Sequence, residues 1–168
     1  MTMPASVPSD GTLRVDYVPA LANPAAPTVT ELTAVGAQAL SCYITGDGWQ
    51  PTGEQASVTD QRLCSTQDFE LPGRKTKSLT LVYVHNPAEP TENEAYTTLA
   101  EGVKGYLVAR YAVPYGQAWA AGDIVDVWPV TAGEPMKQFN GANSVNTASQ
   151  RMFVTGPVER DVAVVAAP

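Results

Sequence analysis

The stretch Ser78-Leu79-Thr80-Leu81-Val82-Tyr83-Val84, continued by His85-Asn86-Pro87 and Thr91-Glu92-Asn93-Glu94, decides how the rest of the chain reads. Leu79, Leu81 and Tyr83 fall on one face of an extended segment, and Thr80, Val82 and Val84 on the other. Alternation among β-branched and aromatic residues predicts a strand. Pro87 stops it, because proline has no ladder N–H. Thr91 and Glu94 have capping-box spacing, which predicts a helix over Thr91–Glu101 that uses Ala95, Tyr96 and Leu99 to pack. Gly102 suits the helix end, where a left-handed residue is favoured. Tyr106 to Val113 returns as a second strand. The unit is strand, helix, strand, and none of its residues is armed for chemistry.

Working outward, Leu13 to Val18 reads as a short strand, and Thr28–Glu31 as a second capping box cut short by Gly36. Ala39 to Thr45 alternates and is expected to be a strand, turned by Gly46-Asp47-Gly48. Gln55 to Thr59 returns as a strand. Asp60 to Lys77 is expected to be a long polar loop, of the kind that is usually functional in a compact domain. Ile124 to Val130, a weaker segment around Met136 to Phe139, and Val145 to Val154 complete the strands, with a loop at Thr131–Pro135 and a tight turn at Asn140-Gly141. Val162-Ala163-Val164-Val165 is an apolar tail with no evident partner strand. The expected organisation is an arm at 1–12, one β domain at 13–160 and a tail at 161–168. The fold class is mainly β: an antiparallel sandwich or barrel with one flanking helix and extended N- and C-terminal arms.

The chain has 168 residues, 16% of them charged, with 14 prolines and 13 glycines. That length suits one domain able to bury about 70% of its unfolded surface. Net charge is −7, unevenly spread. Residues 61–77 carry Arg62, Arg74, Lys75 and Lys77 against Asp68 and Glu70, a local +2, whereas the flanking regions are acidic. No basic stripe interleaved with aromatics is present to grip a nucleic-acid backbone. Cys42 and Cys64 lack metal-ligand spacing and are expected to be buried, reduced thiols. No signal-peptide pattern opens the sequence and no apolar run reaches membrane-span length, so folding in a cytoplasm is expected.

A nucleophile–histidine site would have to use His85, the only histidine; as a polar residue at a strand end it needs no such role. No nucleophile elbow, phosphate loop or dinucleotide glycine pattern occurs. Gly46-Asp47-Gly48 lacks the alternating oxygen ligands of a calcium loop. Trp49, Trp119 and Trp128 can line a sugar site or anchor a core or interface. The expectation is no enzyme, with no catalytic, cofactor or metal residues.

The succession Leu40-Ser41-Cys42-Tyr43-Ile44-Thr45, Gly46-Asp47-Gly48, Asp60-Gln61-Arg62-Leu63-Cys64, Pro72-Gly73-Arg74-Lys75-Thr76, Tyr83-Val84-His85-Asn86-Pro87, Glu94-Ala95-Tyr96-Thr97-Thr98-Leu99 and Phe153-Val154-Thr155-Gly156-Pro157-Val158 resembles the major tail tube proteins of long, non-contractile-tailed bacteriophages, especially those of actinobacteria. The match runs from about Val15 to Val162. The resemblance implies six copies in a ring, and rings stacked into a virion tail tube that delivers DNA. It also implies partners: further copies, tape measure protein, and terminator or tip proteins. Assembly would take place in the host cytoplasm, with no membrane partner. DNA would pass a lumen lined by acids without specific binding, since like charge repels phosphate. Arg62, Arg74 and Lys75 are the expected ring-to-ring contacts. Competing expectations are a head–tail connector or tail terminator that closes as a single ring, a free-standing β-sandwich module binding a ligand at Trp49 or Trp119, and a small hydrolase using His85.

Overall fold

A computed structural model describes residues 3–166; the outermost two residues of the expected arm and of the expected tail lie outside them. The elements in order are β1 (Arg14–Val18), α1 (Val29–Leu32), β2 (Gln38–Ala39), β3 (Ile44–Asp60), β4 (Phe69–Val84), a 3₁₀ turn (Pro90–Glu92), α2 (Glu94–Thr98), β5 (Lys104–Arg110), β6 (Ile124–Gln138), β7 (Thr147–Val154) and β8 (Glu159–Ala163). The protein is mainly β. Its strands form one sheet in the order β2-β1-β5-β6-β7-β4-β3, with β8 beside β6, and every neighbouring pair is antiparallel.

The long strand β6 joins two half-sheets. Its first part pairs with β5 and β8, and its second with β7. A bulge between Ala132 and Pro135 separates the two registers, and a bulge bends a strand and increases its twist. The inner faces of both halves meet in one cluster. Val15, Tyr17, Leu107, Ala109 and Trp128 come from one side, and Leu79, Leu81, Tyr83, Ala148 and Met152 from the other. Ala95 and Leu99 of the α2 region join this cluster. A second cluster covers the opposite face of the first half, where Val18, Val108, Val125 and Val127 meet Leu21, Leu32, Trp119 and Val164. Double coverage is why β5 ends in four consecutive buried residues, whereas β4 alternates at its inner end.

The turn after β2 ties the sheet's two ends together. Leu40 N–H donates to the Val15 carbonyl and Val84 N–H to the Tyr43 carbonyl, both at 2.8 Å. The strand expected over Ala39–Thr45 is therefore interrupted at Ser41–Tyr43. The Ser41 hydroxyl accepts from Val15 N–H at 2.8 Å, and such side-chain bonding competes with a ladder. Gly46-Asp47-Gly48 is not the end of a strand; it lies within β3, where the register shifts between Ile44 and Trp49. A Cβ on Gly48 would overlap the Val82 carbonyl oxygen, so only glycine allows this approach.

Other expectations are corrected. Residues 69–77 are strand, and the loop shrinks to 61–68. Thr131–Pro135 is strand within β6. The apolar tail is paired: β8 runs antiparallel to β6, and Val165 bridges to Thr28. The helix expected over Thr91–Glu101 is only Glu94–Thr98, and its capping box does not form. Pro90 opens a 3₁₀ turn instead. Asn93, buried at the helix start, turns its amide to Asn86, accepting from its N–H at 2.8 Å and donating to its carbonyl at 2.7 Å. The Thr28–Glu31 capping box does form.

Candidate assembly surfaces

β3 and β4 continue pairing well past the sheet, from Gly53↔Lys77 out to Asp60↔Phe69. Among the described residues neither strand has a further neighbour there: β7 pairs with β4 only over Leu79–Val84. The result is a projecting two-stranded arm. Val58 stands opposite Leu71, and Phe69 is two residues further along the same face. These side chains remain 53%, 56% and 49% exposed, and Leu63 at the tip is fully exposed. An isolated hairpin is marginal in water without cover for an apolar face. Sequence reading missed this face, because only the register shows that Val58 and Leu71 are partners.

The three expected contact residues all lie on the arm, but they do not form one patch. Arg62 is in the tip loop, 2.9 Å from its own Asp60. Arg74 and Lys75 are exposed near the root, about 17 Å back along the ladder. As sequence neighbours in a strand they point to opposite faces. Lys77 lies nearby, and burial, then Arg160 and Lys75, push its ammonium below its ordinary pKa.

At the root of the arm is a groove of about 690 Å³. Leu13, Ile44, Trp49, Tyr111 and Tyr115 form much of its wall, with Cys42 and Asp10 also lining it. Trp49 Nε1 donates to the Tyr111 hydroxyl at 2.9 Å, and its ring meets Trp128 edge-on at 6.2 Å. Tyr115 N–H donates to the Gly11 carbonyl at 2.9 Å, pinning the N-terminal segment along the rim. Ala112, on the same wall, has φ +61°, a left-handed conformation that costs a non-glycine residue energy. Cys42 and Cys64 are both exposed, correcting the expectation of buried thiols. The segments around them, the Ser41–Tyr43 turn and the 61–68 loop, lie outside the core-facing ladders.

Behind the groove, a polar network fixes the 111–122 loop. Trp119 is buried, with the guanidinium groups of Arg14 and Arg110 each 4.7 Å from its ring centroid. Its Nε1 donates to Asp16 at 2.8 Å. Arg110, fully buried, pairs with Asp123 at 2.6 Å and donates to the Gln117 carbonyl at 2.7 Å. At 6% exposure Trp119 offers a ligand almost no surface. His85 is buried against the Tyr96 ring, 4.9 Å between centroids, and burial, then Lys137, holds its pKa below 6.5. Among the described residues no group of three or more His, Cys, Asp or Glu is placed to hold a metal, and no helix is long and apolar enough to cross a membrane.

A rolled antiparallel sheet around one main core, with a two-stranded arm reaching beyond it, defines the class: a mainly β protein with a projecting hairpin. The chain belongs to a phage tail tube protein family, whose model matches residues 1–167. It is thus a structural protein of the phage tail. A chain in a solved structure described as the cryo-EM structure of the anti-feeding prophage (AFP) baseplate, 6-fold symmetrised, shares the fold. The TM-score is 0.50 at 10% identity, covering 95% of this chain and 96% of that one. A search of curated proteins finds no match.

Proposed function

We propose that this protein builds the tube itself: copies close into hexameric rings, and rings stack into the tail of a long, non-contractile-tailed phage. The observation that carries the reading is the arm. Its apolar face is unburied in a single copy, and covering it would contribute about 5 kcal/mol per copy. A contact between two different surfaces closes when its rotation divides a circle and otherwise propagates. One such contact makes the ring, and the arm makes the stack. Family membership and the six-fold assembly that contains the similar fold support this reading. The net charge of −7 suits a lumen that lets a polyanion slide, with acids facing inward. Tape measure protein inside the tube and terminator or tip proteins at its ends are the expected partners. The virion is its final location, after assembly in the host cytoplasm.

The test is size against concentration, with electron microscopy of the purified protein. Tubes of varying length support the proposal. Rings that never elongate would mean a connector or terminator, and a persistent 17.8 kDa monomer a free-standing module. Arg62, Arg74 and Lys75 are proposed to meet acids of the adjoining ring. Arg74→Glu with Lys75→Glu should stop elongation, and normal tubes from that variant would remove those residues from the interface.

A further inference from the structure

The arm's apolar tip and the apolar groove lie at opposite ends of the same strand. Trp49 lines the groove, and Asp60 is the last paired residue of β3 before the tip. Eleven residue-to-residue steps along the strand separate them, about 35 Å. The intervening ladder is continuous apart from one shift between Gln55 and Ser57, so a copy's tip cannot fold back into its own groove. Whatever covers Leu63 belongs to another molecule.

Both surfaces have the properties of partners. The groove is apolar and aromatic, and it holds more than one side chain. Asp10 lies in the wall and Asp47 beside it in β3, and on the Tyr111 side Asp126 and Arg160 act on the tyrosine hydroxyl with opposite sign. Arg14, the nearest base in sequence, is already committed to Asp16 at 2.9 Å and to the Gln117 carbonyl. The arm segment 61–77 carries a net +2, with Arg62 next to Leu63. The Arg62–Asp60 pair is largely exposed, and such pairs exchange at little cost. From these observations, and resting on the tube reading above, we infer that the hairpin tip of one copy seats in the Trp49–Tyr115 groove of a copy in the next ring, Leu63 entering the groove and Arg62 meeting Asp10 or Asp47. Donor and acceptor differ and lie far apart on each copy, so the contact repeats without closing. The ring-to-ring repeat is then set by the arm, at about 35 Å when it runs along the axis and less when it tilts.

The protein carries its own reporters. Cys42 lies on the groove wall, Cys64 follows Leu63, and there is no third cysteine. A short bis-maleimide added to assembled wild-type particles should join Cys42 of one copy to Cys64 of the next. It should yield a ladder of linked copies whose junction peptide is identified by mass spectrometry. Cys42→Ser or Cys64→Ser should each abolish the ladder. Leu63→Asp, and Cys42→Trp, which fills the groove, should fold and form rings yet lose tubes. Well-formed tubes that give no Cys42–Cys64 junction, or normal tubes from both variants, would overturn this docking and leave the tube reading intact. A wild-type chain that never assembles would overturn both.

Discussion

Replacing Gln150 by leucine probes the core where β7 meets β4, the β6 bulge and the end of α2. Gln150 lies on β7 and is 1% exposed. Its Oε1 accepts from the Tyr83 hydroxyl of β4 at 2.9 Å. Its Nε2 donates to the Leu99 carbonyl at the end of α2, at 2.6 Å, and to the Gly133 carbonyl in the β6 bulge, at 2.7 Å. Leucine has nearly the same volume, so no large cavity opens. The loss is polar: one buried hydroxyl and two carbonyls lose a partner. Each orphaned group costs about 1–3 kcal/mol, so Gln150→Leu should destabilise by about 4 kcal/mol after some relaxation. Tyr83→Phe removes one bond and should cost about 1 kcal/mol. The double variant should cost less than the sum, because the orphaned hydroxyl is gone. Urea unfolding of the unassembled protein, followed by tryptophan fluorescence, measures all three. A loss below about 1 kcal/mol for Gln150→Leu, with an unchanged m-value, would refute the claim that this amide ties β4, the β6 bulge and the end of α2 together.

Arg110→Met should lower stability by about 3 kcal/mol in thermal unfolding, since Asp123 is left partly buried without its partner; Arg110→Lys should not restore it, because a lysine lacks the planar fork that also stacks on Trp119. The His85 pKa is lowered in the fold, so the unfolded chain binds the proton first; urea midpoints should hold above about pH 6.5 and fall as pH drops below it, and His85→Gln should flatten that slope. Backbone N–H groups of Ala22 and Thr28 hold the Glu31 carboxyl below 4.5, so its stabilisation is complete above that pH and lost as pH falls through the folded pKa; Glu31→Gln at neutral pH should cost about 1 kcal/mol in the same unfolding assay. Gly48→Ala should yield insoluble or markedly destabilised protein on expression, because its methyl collides with the Val82 carbonyl.

How much of this was legible in the sequence depended on how many faces each element buries. Leu79, Leu81 and Tyr83 show period two because one face of β4 is core and the other is not. Glu70, Arg74 and Lys75 show no pattern because the arm is wet on nearly all sides, so residues 69–77 read as loop where they are strand. The helix was over-read because Thr91 and Glu94 have capping spacing, while Pro90 and the Asn93–Asn86 amide pair decided the geometry. Of the expected contact residues, charge and position found the arm, but not that Arg62 lies far from Arg74 and Lys75. Trp49 pointed toward the groove as a residue able to line a ligand site, but nothing in the sequence joined it to the other walls. Its walls come from residues 7–15, 41–49 and 111–115, which only the closed sheet brings together.

The pairing pattern also orders events in time. β3 and β4 close around the short 61–68 loop, a local step of microseconds. Val15 must find Ala109, and Leu79 must find Met152, and such distant pairings make β proteins slow to complete. The hairpin's pairing therefore begins, as a marginal structure, before the walls of the groove come together. If tubes form by the docking inferred above, a chain accepts a neighbour only once its own body is done, and complete folding then gates each addition.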